Sequence, residues 1–424
     1  MVDIWVFVTG RGIKINSSLE TYLVGGSVRD ELLQLPSKDY DYVVVGSTPE
    51  EMEQLGYRSV GKDFPVYLHP KNQDEYALAR TERKVARGYK GFKIHAAPQV
   101  TLKEDLARRD LTINAIARDK HGKIIDPFNG VEDLKAGLLR HVSPAFSEDP
   151  VRILRTARFS ARFSFHVAQE TLELMSEMVS NGEVDFLVAE RVWQEVSRGI
   201  MENKPSRLFS VLRDCGALAK IIPEVDALFG ALQFGEWHHE IDMGKYIMQA
   251  IDYAAVKNYS LPIRFAVLTH NIGPSHSGDK ERNVGLIKEL CKRIRVPKSS
   301  RDLAILAARF CGNVYRIEKL DSVAIVDTLL AVDAYRKPER FKEFISVCEC
   351  VFHGRTGYID KPYQQAAWLL EAFNITNRVD CAAIAHGLVK NSSDSVNLSN
   401  LISVRIRESR IDAIKNYLTK ISIP

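Results

Sequence analysis

Thr21-Tyr22-Leu23-Val24-Gly25-Gly26-Ser27-Val28-Arg29-Asp30, followed by Asp39-Tyr40-Asp41-Tyr42-Val43-Val44-Val45, is the stretch whose reading decides how this chain folds. Thr21–Val24 is β-prone and runs into two glycines, and the residues after them open a helix. Glycines such as Gly26 let a backbone approach a bulky anion, and the free N–H groups of a helix start favour negative charge. Arg29 adds a charged fork. Asp39 and Asp41 open a second strand. Alternate residues of a strand share a face, so the two carboxylates project together. Adjacent like charges repel, and they make sense around a hard cation such as Mg²⁺, which takes one or two carboxylates plus phosphate oxygens. A lone D-x-D is often only a strand edge, and a strand–Gly-Gly–helix is often only a turn. The two in succession are more specific than either.

Outward from that stretch, Pro65-Val66-Tyr67-Leu68 and Glu75–Ala79 read as third and fourth strands. Ile113–Ala117 and Lys123–Ile125 add a fifth, with Asp126-Pro127-Phe128-Asn129-Gly130 as a turn. Residues 20–140 thus form a small mixed α/β domain. After Ser147 the period changes. Val151, Leu154, Ala157 and Phe159 recur at helical spacing, as do Leu172, Met175 and Met178. From there on only helix periodicity is visible, punctuated by Pro223, Pro262, Pro297 and Pro362. A Ser/Asn-rich linker at Asn391–Ser399 precedes a last basic helix near Ser403–Leu418.

A chain of 424 residues exceeds one small core and implies two to four domains. With 45% apolar and 26% charged residues the composition is that of an ordinary globular protein. The net charge of +4 says little, but its distribution says more. Residues 1–79 carry 7 Lys/Arg against 12 Asp/Glu, whereas 80–160 carry 17 against 10, which suits a metal site beside a polyanion site. The six cysteines show no C-x₂-C pair, so reduced cytosolic thiols are the simplest account. No apolar run approaches a membrane span, and Trp5–Val8 is too short for a signal segment. Residues 1–19 read as an N-terminal extension, either an upstream start or a disordered segment.

Gly25–Asp30 with Asp39-Tyr40-Asp41 resembles the head of the DNA polymerase beta-type nucleotidyltransferases. More closely it is similar to class II CCA-adding enzymes and bacterial poly(A) polymerases. Further matching segments are Lys62-Asp63-Phe64-Pro65-Val66, Glu75–Lys84, Arg108–Asn114 and Glu148–Phe159. The likeness covers residues 20–230 strongly and the remainder weakly. It implies an α+β protein: a nucleotidyltransferase head with a mixed sheet over 20–147, then an all-α remainder. That remainder would comprise a neck (148–222), a body (223–350) and a tRNA-binding tail (351–424). It implies two Mg²⁺ ions on Asp39 and Asp41, with Glu75 as a third acidic residue, and Arg109 as a nucleotide-binding arginine.

Ser147–Arg158 begins a helix, with Pro150 as a start signal. Asp149 and Arg152 are spaced to share a face, as are Arg152, Arg155 and Arg158. Cytosine and adenine both present an exocyclic N–H donor beside a ring-nitrogen acceptor; uracil and guanine present the reverse. A carboxylate and an arginine together match the first pattern and clash with the second. The resemblance implies this role for Asp149 and Arg152, with Arg155 and Arg158 holding the triphosphate or the primer end. A capping Asp and solvated arginines are the plainer alternative. The basic, glycine-containing stretch Arg83–Gly91 reads as a mobile loop, which the family uses when switching from CTP to ATP.

Long members of the family carry an HD-type phosphohydrolase domain after the neck. Here the framework Trp237–Asp242 and Arg264–Asn271 is present, but Tyr246 stands near the first His, the His-Asp pair reads His270-Asn271, only an isolated His276 follows, and the late Asp falls near Cys311-Gly312. Asn replaces a charged ligand poorly, so this region reads as a helical scaffold without metal, and His238 and His239 as surface residues. The expectation is template-independent addition of CCA to tRNA from CTP and ATP, in the cytoplasm, with no membrane and no obligatory protein partner. A bacterial poly(A) polymerase, a CC-only or A-only enzyme, and a catalytically silent tRNA-binding protein are the alternatives.

Overall fold

The computed structural model describes residues 4–8, 11–15, 19–37, 40–60, 66–84, 92–235, 238–273, 280–391 and 398–421. Asp39, Lys62–Pro65, the loop residues 85–91, Trp237, His276 and linker residues 392–397 lie outside them. The chain packs as two units, Met1–Gly199 with Arg207–Ile221, and Ile200–Ser206 with Ile222–Pro424.

In the first unit, β1 (Ile4–Val8) and β2 (Arg11–Ile15) pair antiparallel. The strands β3 (Glu20–Val24), β4 (Asp41–Val45), β5 (Arg58–Val60), β6 (Val66–Leu68) and β7 (Glu75–Leu78) follow. Then come a separate antiparallel hairpin, β8 (Arg80–Lys84) with β9 (Phe92–Ala96), and the short strands β10 (Ala117–Arg118) and β11 (Ile124–Ile125). The central sheet runs β11-β10-β3-β4-β7-β6-β5. Only β4 and β7 pair in parallel, so the sheet is mixed, as expected.

Period-two alternation separates its two faces. Val43 and Ala79 join Val24, Ala117, Val100 and Leu106 on one side. Val44 and Leu78 join Met52 and Tyr67 on the other. The first side is covered by α3 (Leu102–Ala107), the second by α2 (Pro49–Gln54). Both helices start at a threonine capping box, Thr101 with Glu104 and Thr48 with Glu51. The helix after the double glycine is α1 (Gly26–Leu32), and α4 is Gly130–Ala136.

The sequence differs from the structure in three places here. Ile113–Ala117 is not a strand: Thr112–Asn114 turns in a 3₁₀ helix, and pairing begins only at Ala117. Ile113 is fully buried and Asn114 is engaged by Asp110 and Arg29, so tertiary contacts override β propensity. Arg83 and Lys84, expected in a loop, end β8. The short edge strand β5 carries too few residues to show a period.

Helices α5 (Val151–Phe163), α6 (Gln169–Ser180), α7 (Ala189–Met201), α8 (Ser206–Asp214), α9 (Ala217–Ile221) and α10 (Pro223–Asp226) follow the sheet. The second unit is built on α11 (Met243–Val256), α12 (Leu261–Thr269), α13 (Lys280–Arg293), α14 (Lys298–Tyr315), α15 (Ser322–Ala331) and α16 (Pro338–His353). It ends in α17 (Gln364–Asn377), α18 (Cys381–Asn391) and α19 (Leu398–Ile421), the last longer than its basic core suggested. The prolines fall at helix starts: Pro223 and Pro262 in first turns and Pro297 at the N-cap, where a missing N–H costs nothing. Helix α12 is buried almost throughout and packs on α11, α14 and α16. Its Arg264 donates to the Ile200 and Glu202 carbonyls at 3.0 and 3.1 Å, satisfying the end of α7. A two-stranded hairpin, Leu232–Gly235 with His238–Asp242, interrupts the helices. Among the described residues no helix is long and apolar enough to cross a membrane.

Candidate active site

Asp41 and Glu75 are register partners across the parallel β4–β7 pair. Partners of a parallel pair point to the same face, so two exposed carboxylates sit side by side on the face covered by α3. The next residues fix this register from the other side. Tyr42 stacks on Tyr76 at 4.6 Å, and Tyr76 meets Tyr57 at 5.1 Å. A one-residue slip of either strand would turn its acid to the opposite face, and that aromatic cluster opposes it. Asp39 precedes Asp41 by two residues but lies outside the described residues. Oxygen-only donors in this pattern suit a hard divalent cation.

Beside them, β3 runs into Gly25, the N-cap of α1, with φ 71° and ψ −126°. A side chain is strained there, and a Cβ would stand 2.8 Å from Arg109 Nη1. It is therefore Gly25, more than Gly26, whose backbone demands glycine. Arg109 reaches the turn with its Nε buried and without a hydrogen-bond partner. Its Nη2 donates to Asp105 at 3.3 Å, and Asp105, wholly buried, also takes Arg108 at 2.7 Å. Burial opposes the charge on Asp105, but Arg108 and Arg109 hold its carboxyl below the usual range. The turn thus presents helix N–H groups and an arginine fixed from behind. Gly25→Ala should cost about 1–3 kcal/mol and raise the KM for nucleotide, read by thermal denaturation and initial rates; unchanged values in both would show the turn to be adaptable.

Arg29 is not at the open face. It is buried, donates to Asp30 at 2.7 and 2.8 Å and to Asn114, and lies over Phe159 and Phe163 at 5.0 and 4.9 Å. A phosphate would reach it only by displacing those partners. Asp30 also accepts from Arg162 at 2.8 Å, so this cluster joins α1 to α5. The second tie is Asp110, which accepts from Asn114 at 2.9 Å and from Arg155 at 2.7 Å. Burial works against its charge, yet Arg155 and the Asn114 amide hold its carboxyl far below the usual carboxylate range. A folded-state pKa below the unfolded value of about 3.9 stabilises fully above that value and is lost as pH falls through the folded value. The melting temperature should therefore hold down to about pH 5 and drop below about pH 4, and the drop should be shallower in Asp110→Asn. That variant should also lose about 2 kcal/mol at neutral pH, between the limits for exposed and buried pairs. A wild-type acid profile superimposing on the variant's would remove Asp110 from this role.

At the start of α5, Asp149 and Arg152 are each held by other groups. Asp149 accepts from Arg191 of α7 at 2.8 and 3.2 Å and from the Val151 N–H at 3.1 Å. Arg152 is buried and donates to the Arg108 and Ala145 carbonyls at 2.6 and 2.9 Å. The Asp149 carboxylate can accept further hydrogen bonds through its remaining lone pairs. Arg158 is buried against Glu195 at 2.6 Å, and its guanidinium lies 4.4 Å from the Phe159 ring.

The model of a family described as "Poly A polymerase head domain" matches residues 21–140, and one described as "Probable RNA and SrmB-binding site of polymerase A" matches 164–229. A protein of Nitrosospira multiformis called "Multifunctional CCA protein" is 60% identical over 94% of this chain and 99% of its own. One of Nitrosomonas eutropha with the same name is 57% identical over 95% and 100%. This chain belongs to the CCA-adding branch of the tRNA nucleotidyltransferase and poly(A) polymerase family. The fold agrees. A CCA-adding enzyme in an apo form aligns with TM-score 0.62 at 20% identity over 95% of this chain and 92% of its own. The Thermotoga maritima CCA-adding enzyme complexed with tRNA aligns with TM-score 0.59 at 18% identity over 95% and 92%.

Within this nucleotidyltransferase, Asp105, Asp110 and Asn114 position the arginines, and the sequence reading passed over them. Their i,i+4 spacing, Asp105 to Arg109 and Asp110 to Asn114, was the available signal. Nothing local marks Arg191 or Glu195, which reach α5 from α7.

In the second unit, the positions that the sequence suggested as an HD-like framework hold other side chains. Tyr246 is buried, donates to the Val351 carbonyl at 2.8 Å and lies edge-on to His270 at 6.0 Å. The Asn283 amide ties the backbone beside His270. The Cys311 and Cys348 sulfurs are 3.4 Å apart, and burial pushes the Cys348 thiol up. Among the described residues no group of three or more His, Cys, Asp or Glu could hold a metal ion. Purified protein should show no hydrolysis of 2′,3′-cyclic phosphates with Ni²⁺, Mn²⁺ or Mg²⁺; robust metal-dependent turnover would overturn that expectation.

Proposed function

We propose that this nucleotidyltransferase adds or repairs the 3′-terminal CCA of tRNA, taking CTP and ATP in turn without a nucleic-acid template and releasing pyrophosphate. The observation that carries this is Asp41 facing Glu75 beside the Gly25 turn, in a chain 53–60% identical over nearly its whole length to multifunctional CCA proteins. A divalent metal belongs to the chemistry of the family; we take it to be Mg²⁺, held by Asp39 and Asp41 with Glu75 in support. Bound there, it would ease deprotonation of the tRNA 3′-hydroxyl and offset charge on the triphosphate. The rest falls to the protein's own groups. The Gly25-Gly26 turn and Arg109 cradle phosphates, and Asp105 fixes Arg109. Asp149 accepts from the exocyclic amine of cytosine or adenine, Arg152 donates to the ring nitrogen, and Arg155 and Arg158 steady the triphosphate or primer end. Residues 20–147 serve as head, 148–222 as neck, 223–350 as body and 351–424 as a tRNA-binding tail, in a protein of the cytoplasm.

The test is to incubate the protein with tRNA lacking CCA, supply CTP and ATP singly and together, and sequence the ends. CCA ends only with both nucleotides are expected. Ends stopping at CC, long A tails, or no extension would indicate a CC-adding enzyme, a poly(A) polymerase or a silent binder.

A further inference from the structure

The second unit contains a cavity of about 550 Å³ between α11, the C-terminal end of α16 and the loop after it. That volume lies in the range of small-ligand sites, about 300–1,000 Å³. Its inner wall is aromatic. Tyr253 and the buried His353 stack at 4.5 Å with 23° between ring planes, and the His353 Nδ1–H donates to the Tyr358 carbonyl. Arg355 also lines it, 6% exposed, with Nε and Nη1 lacking hydrogen-bond partners. Two large apolar residues stand at its edge in water, Val256 at 76% and Ile359 at 63% exposure.

Two lysines stand at the edge, each beside a carboxylate: Lys204 Nζ lies 3.3 Å from Asp252 and Lys257 Nζ 3.9 Å from Glu349. Lys204 and Lys257 keep about half of their side-chain surface in solvent. Asp252 is already used, accepting from the Ser206 N–H and hydroxyl at 3.0 and 2.7 Å. Asp360 is the other acid of the lining, and can accept from a hydroxyl or amine. Lys257 lies 5.4 Å from the Tyr253 ring, so cation and aromatic surface adjoin.

We propose that this cavity is a second nucleotide site, which takes a base against the Tyr253–His353 wall and its phosphate on Lys204 and Lys257. Every base offers a flat face to an aromatic wall, and lysines bind phosphate as point charges. The occupant is a nucleotide unit, either free or as an unstacked residue of the tRNA; only the second source rests on the function proposed above.

Two arms separate the sources. In the first, tRNA lacking CCA is titrated by fluorescence anisotropy, without CTP, ATP or metal, against wild type, Val256→Glu and Lys204→Glu/Lys257→Glu. An RNA source raises Kd about tenfold or more and lowers the salt slope by about one to two, with kcat for CTP at saturating tRNA unchanged. In the second, AMP and CMP are titrated calorimetrically, and a free-nucleotide source shows as one binding event lost in the same variants. Ile359→Asp substitutes for Val256→Glu if that chain melts early. If neither arm changes in folded variants, the proposal is overturned. Because binding is read without catalysis, absent CCA addition with intact binding would indict the proposed function and spare this site.

Discussion

Asp41→Ala is expected to lower incorporation of CTP and of ATP together by about a thousandfold or more, the upper end of what one polar group supplies to a transition state. Asp39→Ala should do the same. Both nucleotides are lost because the carboxylates act on phosphates, which carry no base identity. Asp41 is exposed at the open end of β4, so its removal should leave the melting temperature within a few degrees. Glu75→Ala should cost less, about ten- to a hundredfold, as expected of a group that orients a metal ligand. Initial rates on tRNA lacking CCA, with circular dichroism of each variant, decide the matter. Near-wild-type rates in either aspartate variant would sink the metal assignment, and loss of ATP use alone would point to a base contact.

The second large effect concerns which nucleotide enters. Asp149→Ala removes the acceptor for an exocyclic amine, and Arg152→Ala the donor to a ring nitrogen. Each hydrogen bond to a charged partner is worth roughly 1.5–3 kcal/mol, so preference for CTP over UTP should shrink by one to two powers of ten. Arg191 holds Asp149 through two hydrogen bonds, so Arg191→Ala should relax the same preference more weakly. Arg155→Ala should weaken all four nucleotides alike if it binds phosphate, and destabilise the fold by leaving Asp110 without its ion pair. A purely capping Asp149, which the bond from the Val151 N–H permits, predicts instead a stability loss of about 0.5–2 kcal/mol with preference intact. Measuring kcat/KM for the four triphosphates separates these; an unchanged CTP-to-UTP ratio in both Asp149→Ala and Arg152→Ala would exclude this pair as the template.

Much of this protein is legible along the chain because its decisive signals are short-range. The double glycine, the D-x-D at a strand start, the change from period two to period 3.6 after Ser147, and prolines at helix starts each depend on residues a few positions apart. They gave the α+β class and the strand nearest the carboxylates. Strand order was not legible, and with it went the placement of Glu75: only the parallel pairing of β4 with β7 sets it opposite Asp41. The arginines show the same limit. Arg29, Arg152, Arg155, Arg158 and Arg109 look alike as cations in a sequence. Their environments differ because burial forces each guanidinium to find acceptors, and those acceptors come from distant segments: Asn114 for Arg29, the Arg108 carbonyl for Arg152, Asp110 for Arg155, Glu195 for Arg158. Local periodicity determined the elements and the residue types of the site. Which cations are locked into the framework and which face the Gly25 turn was decided only by tertiary packing, since desolvating a charge without a partner costs more than any local propensity supplies.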